Sequence, residues 1–155
     1  MKTLDFCGGW QVGYLEGDLR EPVTLPHDAM LREKRTQGSA GDVHIGWFEG
    51  HDYEYVKCFA ASDEMLSGHA LVEFEGVYHN AQVYINDVLV AERPYGYSGF
   101  YADMTGHLKR CENVLRVLVK NKEQPNSRWY TGSGIYRPVW LHLMPPTHIL
   151  PHGVR

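Results

Sequence analysis

With 155 residues, the chain has the length of one domain and can bury about two-thirds of its unfolded surface. Hydrophobic residues make up 43%, aromatics 12% and charged residues 22%, which excludes a disordered chain. A net charge of −4 excludes a general binder of nucleic acid or anionic membrane, whose affinity comes from excess Lys and Arg.

The first ten residues hold no apolar run of signal-peptide length, and no stretch approaches the roughly 20 apolar residues of a membrane helix. Cys7, Cys58 and Cys111 are odd in number and irregular in spacing. Free thiols in a reducing compartment follow, and a soluble, cytoplasmic protein is expected. Asp28 to Arg35 has the composition of a helical turn or two. Residues 36–42, rich in Gly, Ser and Thr, read as a mobile loop.

From there the hydrophobic period is two. Val72 and Phe74 alternate with Glu73 and Glu75, and Ala81, Val83 and Ile85 with Gln82 and Tyr84. Asn86 and Asp87 follow, a pair that tolerates positive φ and suits a two-residue hairpin turn. Asp103-Met104-Thr105 can cap a short turn before Leu108. Leu115, Val117 and Val119 form the next alternating run, and Val139, Leu141 and Leu143 the last. Each run presents one face to a core, so Val83, Ile85, Leu115, Val117, Val139 and Leu141 are expected inside. Turn signals every eight to twelve residues or so complete the pattern of an all-β chain folded as two packed antiparallel sheets.

The nine histidines contain no His-x-x-x-His pair, and there is no Cys-x-x-Cys, so no metal is expected. A Gly-x-Ser-x-Gly elbow and a phosphate-binding loop are also missing, and no cofactor is expected. The informative segment is residues 125–137, which concentrates Asn126, Arg128, Trp129 and Tyr130 before Gly132-Ser133-Gly134. Aromatic rings offer flat faces to the C–H side of a sugar, while Arg and Asn can bond its hydroxyls. The glycines read as a flexible hinge that lets the loop project. Tyr95 and Tyr97, in residues 93–100, form a second such cluster. From composition alone, packing of these aromatics on the sandwich or on a neighbouring domain remains the alternative.

Longer motifs resemble, in order along nearly the whole chain, the N-terminal sugar-binding domain of glycoside hydrolase family 2, the β-galactosidase and β-glucuronidase family. Leu25-Pro26-His27-Asp28 is similar to its Leu-Pro-His-Asp motif, and residues 52–59 to its Tyr-rich strand. Residues 74–86 resemble its Phe-x-Gly-Val and Ala-x-Val-Tyr-x-Asn signature, residues 96–105 its Gly-Tyr to Asp-x-Thr segment, and residues 112–119 its Asn-x-Leu-x-Val strand. Ser127 to Arg137 carries the most specific resemblance. Two departures stand out: Cys111 replaces a usual turn Gly, and Asn126 and Arg128 occupy a loop where some β-galactosidases carry Asp.

The resemblance implies a jelly-roll-like, galactose-binding-domain-like β-sandwich over residues 1–146, with 147–155 leading into a missing immunoglobulin-like domain, as in a cut fragment. It further implies a retaining β-glycosidase whose two catalytic carboxyl groups lie on a downstream TIM barrel. That barrel needs roughly 250 residues, so no catalytic residue is expected in this chain. Asn126, Arg128, Trp129, Tyr130, Tyr95 and Tyr97 are the candidate substrate-binding residues. The expected partners are the two downstream domains, a carbohydrate substrate and further copies in a homo-oligomer. A free-standing carbohydrate-binding module and a purely structural domain are the alternative readings.

Overall fold

The computed structural model describes residues 1–149, 151 and 153. Among the described residues, ten strands form two antiparallel sheets. The four-stranded sheet orders β1 (Lys2–Asp5), β10 (Val139–Met144), β5 (His69–Phe74) and β8 (Phe100–Asp103). The six-stranded sheet orders β3 (Glu21–Val23), β2 (Trp10–Tyr14), β4 (Asp52–Ala60), β9 (Glu112–Lys120), β6 (Ala81–Ile85) and β7 (Val88–Arg93). After β4 the chain crosses repeatedly between the sheets, giving the expected jelly-roll-like sandwich.

The alternating residues meet between the sheets. Val83, Ile85, Leu115, Val117 and Val139 are fully buried and Leu141 is 1% exposed, so every residue assigned to the core lies in it. Trp10, Tyr55, Phe74 and Met104 complete the same core. Asn86 and Asp87 take φ of 47° and 68°, the left-handed pair a tight hairpin between β6 and β7 requires. Asp103 accepts the Thr105 N–H at 2.8 Å and caps the expected turn.

Short helical pieces and a loop fill out the chain between the alternating runs. A five-residue helix, α1 (Asp63–Ser67), starts on a Ser62 cap; it is too short to show helical periodicity in sequence. The Asp28–Arg35 segment forms one 3₁₀ turn, Ala29–Arg32. Residues 36–42 carry backbone bonds of their own: the Thr36 N–H donates to Trp47 O, and the Ser39 N–H to Thr36 O. A second 3₁₀ turn, Asp42–Ile45, then packs Ile45 so close to Gly41 that a Cβ there would lie 2.3 Å from it. At the Cys111 turn, the buried Asn113 side chain accepts the Lys109 N–H and donates to the carbonyls of Lys109 and Cys111. That side chain closes the turn without the glycine. Of the segment 147–155, Leu150, His152, Val154 and Arg155 lie outside the described residues.

Candidate carbohydrate-binding site

One end of the sandwich gathers the starts of β4, β6, β8 and β10 and the ends of β5, β7 and β9, with residues 121–138 across it. The foundation is Asp28. Its Oδ1 accepts the N–H of Met30 at 3.0 Å and of Ser133 at 2.9 Å, and its Oδ2 accepts the Tyr130 hydroxyl. Two backbone bonds run beside it, His27 N–H to Ile135 O and Ala29 N–H to Ser133 O, each 2.8 Å.

Gly132 and Gly134 are therefore not a flexible hinge. They have φ of 70° and 133°, conformations that L side chains rarely adopt. A Cβ on Gly132 would meet Asp28 Oδ2 at 2.5 Å, and one on Gly134 would meet the Tyr55 hydroxyl at 2.2 Å. Gly134 also exchanges both backbone bonds with Tyr78. Buried Asn121 donates to Gly132 O at 3.1 Å and to the Ser133 hydroxyl. The glycines are there for close backbone approach.

Asn126 is held by four partners. Its Oδ1 accepts the Tyr78 hydroxyl at 3.1 Å, and its Nδ2 donates to Asn121 Oδ1 at 2.7 Å and Glu123 O at 2.9 Å. The same Nδ2 faces His79 Nε2 at 3.1 Å. Burial lowers the pKa of His79 below the usual histidine value, which favours the neutral ring and a free lone pair for this contact. An open groove of about 600 Å³ lies alongside, lined by Asp52, His79, Lys120, Lys122 and Asn126 among others.

The aromatics adjoin it. Trp129 donates its indole N–H to the Tyr97 hydroxyl at 3.0 Å. The Tyr97 ring meets those of Tyr78 and Tyr95 edge-on, with centroids 5.3 and 5.6 Å apart. Trp129 and Tyr95 are 61% and 63% exposed, so packing under the sandwich is not their role. The Tyr136 hydroxyl donates to Gly96 O and holds the 94–99 loop against this cluster.

Asn126, Trp129, Tyr95 and Tyr97 are thus brought together. Arg128 is exposed and pairs with no carboxylate among the described residues, whereas Arg20, Arg32, Arg110 and Arg116 all do. Tyr130 turns away: its ring meets Phe48 and its hydroxyl serves Asp28. Asn121, His79 and Tyr78 escaped the sequence reading. A buried amide and one of nine scattered histidines carry no local signal of their partners.

The arrangement offers amides, an imidazole and ammonium groups beside bare aromatic faces. That combination suits a ligand with hydroxyl edges and apolar faces. Among the described residues, no three His, Cys, Asp or Glu side chains gather as a metal cradle.

The family described as glycosyl hydrolase 2 galactose-binding domain-like matches residues 25–137, from the Leu-Pro-His-Asp motif through the loop just described. The chain belongs to that family. It is 42% identical over 140 residues to the beta-galactosidase BoGH2A of Bacteroides ovatus, covering 90% of this chain and 16% of that enzyme. It is 34% identical over 127 residues to a beta-glucuronidase of Formosa agariphila, covering 70% of this chain and 13% of that protein. Among solved structures, a beta-glycosidase from Bacteroides vulgatus superposes with a TM-score of 0.89 at 33% identity, over 98% of this chain and 21% of that one. The chain therefore spans between about an eighth and a fifth of the length of these relatives.

Proposed function

We propose that the chain is the N-terminal domain of a longer retaining β-glycosidase, of β-galactosidase or β-glucuronidase type, inert in hydrolysis by itself. Asn126, Arg128, Trp129, Tyr95 and Tyr97 meet the carbohydrate substrate, and Tyr130 braces the loop that carries them. The carrying observation is the exposed Trp129–Tyr97 pair beside the Asn126 groove, inside the segment that the family match covers. Residues 147–155 lead to an immunoglobulin-like domain, and a TIM barrel beyond it supplies the acid/base and the nucleophile. A cytoplasmic location is part of the same reading, supported by three unpaired thiols.

Glu54, the buried carboxylate of the six-stranded sheet, is suited to an ion pair rather than to giving up a proton. Burial opposes ionisation of Glu54, but hydrogen bonds from Arg20 and Arg116 overcome it and hold the pKa below the ordinary value. A general acid needs the opposite shift. The test is Arg128→Ala in the full-length polypeptide. Because Arg128 touches no described carboxylate, its loss should lower kcat/KM while the melting temperature stays put. Unchanged kcat/KM would remove Arg128 from the site.

A further inference from the structure

We propose that His69 and His148 form a binding site for a divalent transition-metal ion of the zinc class, at the end of the sandwich opposite the Asn126 groove. The register of β10 on β5 creates it. Met144, the last residue of β10, pairs with His69, the first of β5, so the chain leaving β10 passes beside His69. Pro145 and Pro146 follow, and each fixes its own φ. His148 then lays its ring against that of His69, with centroids 4.8 Å apart and planes at 56°. No other two histidine rings are in contact among the described residues.

Each ring is held through one nitrogen and bare at the other. His148 Nδ1 lies 2.8 Å from the Pro145 carbonyl oxygen. A carbonyl only accepts, so Nδ1 carries the proton and Nε2 keeps its lone pair. His69 Nδ1 faces the Thr105 hydroxyl oxygen at 3.5 Å, and that oxygen accepts the Ala70 N–H at 3.1 Å. A proton donated from Nδ1 to the same oxygen leaves the second Nε2 bare as well. Neither Nε2 has a hydrogen-bond partner among the described residues. An oxygen on Nδ1 and an open Nε2 is how metal-binding imidazoles are oriented and kept in the right tautomer.

The spacing fits one shared ion. With metal–nitrogen bonds of about 2.0–2.1 Å, a bound imidazole has its centroid about 3.2 Å from the metal. Two centroids 4.8 Å apart then subtend about 97° at the ion, between the octahedral and tetrahedral angles. Imidazole nitrogens select zinc, nickel and copper over calcium and magnesium, which take oxygen ligands. Two protein ligands fall short of a closed structural site, so water fills the remaining positions and the affinity is moderate. Bound there, the ion clips residues 145–148 to the start of β5. His148 and His152 make a His-x-x-x-His spacing that the sequence reading passed over. His152 lies outside the described residues, and the site is defined by His69 and His148.

The experiment titrates Zn²⁺ alone into the chelator-treated chain by calorimetry, above the pH at which ordinary imidazoles ionise. One ion should bind per chain, with a dissociation constant on the order of micromolar. His69→Ala and His148→Ala should each weaken binding at least tenfold. His44, exposed and without a ring partner, is the control, and His44→Ala should change nothing. Melting temperatures without the ion check that each variant folds. Absence of saturable binding by the parent overturns the site. So does a loss confined to one of the two variants, or an equal loss in His44→Ala; the ring contact is then packing only. Should His69→Ala fail to fold, His148→Ala carries the comparison alone, because His148 lies outside every strand.

Discussion

Asp28 and Ser133 stand 105 residues apart in sequence, yet the Asp28 carboxylate accepts the Ser133 backbone N–H at 2.9 Å. The same carboxylate caps the turn at Met30 and takes the Tyr130 hydroxyl. One side chain thus holds the candidate binding loop onto the motif at residues 25–28.

Removing that side chain should loosen the loop and cost stability. Hydrogen bonds to a charged group contribute roughly 1.5–3 kcal/mol each and overlap when shared, so Asp28→Ala should lose about 2–4 kcal/mol. Urea unfolding with an unchanged slope measures it. A loss under about 0.5 kcal/mol, the size of an ordinary surface change, would strip Asp28 of this role.

Gly134→Ala should be costly for a separate reason. The new Cβ would sit 2.2 Å from the Tyr55 hydroxyl, on backbone at φ 133°. Gly106 also has positive φ, 77°, but nothing lies within 4 Å of its Cβ position. Backbone strain alone costs about 1–3 kcal/mol, so Gly106→Ala should stay in that range and Gly134→Ala exceed it. Melting temperatures of the two variants side by side give the answer, and equal losses would discard the close-approach argument.

Leu141 lies in β10 between β1 and β5, opposite Leu4 and Val72, and is 1% exposed. Leu141→Ala should destabilise the chain by about 2–5 kcal/mol, the sum of lost burial and a cavity. Chemical denaturation checks it, and a near-neutral result would mean the sheets do not meet there.

Acid should weaken the fold partly through Glu54. Its folded pKa is depressed, since the Arg20 and Arg116 bonds outweigh burial. The unfolded chain then binds the proton more readily than the folded one. This contribution is present above the unfolded carboxylate pKa and is lost as pH falls through the lower folded value. Melting temperature followed from pH 6 downward should therefore drop less steeply in Glu54→Gln than in the parent. Parallel curves would show that Glu54 is not a source of the acid sensitivity.

The isolated chain should not hydrolyse aryl β-galactosides or β-glucuronides. Turnover above the buffer rate, abolished by one Asp or Glu substitution within these residues, would place a catalytic pair here after all.

What the sequence determines by itself is local. Alternation along 81–85, 115–119 and 139–143 states which side chains face inward, because successive strand residues point to opposite faces. Asn86-Asp87 states where a hairpin turns, because few residues accept positive φ twice. The motifs from 25 to 137 likewise carried the family resemblance, as the family match bears out. Alternation cannot say which strand lies beside which. Asp52 of β4 meets Lys120 of β9, and Lys2 of β1 meets Leu143 of β10, through pairing that follows no local rule. The site depends on that pairing. Only when β4, β6 and β9 lie side by side do His79, Asn121 and Asn126 come within hydrogen-bonding reach, and only then does Trp129 find Tyr97. The same assembly turns Tyr130 onto Asp28 and presses Gly134 against Tyr55, converting an apparently flexible tract into a tightly packed one. These contacts are made across up to 105 residues of chain, where side-chain chemistry sets what can bond and tertiary folding sets what is near.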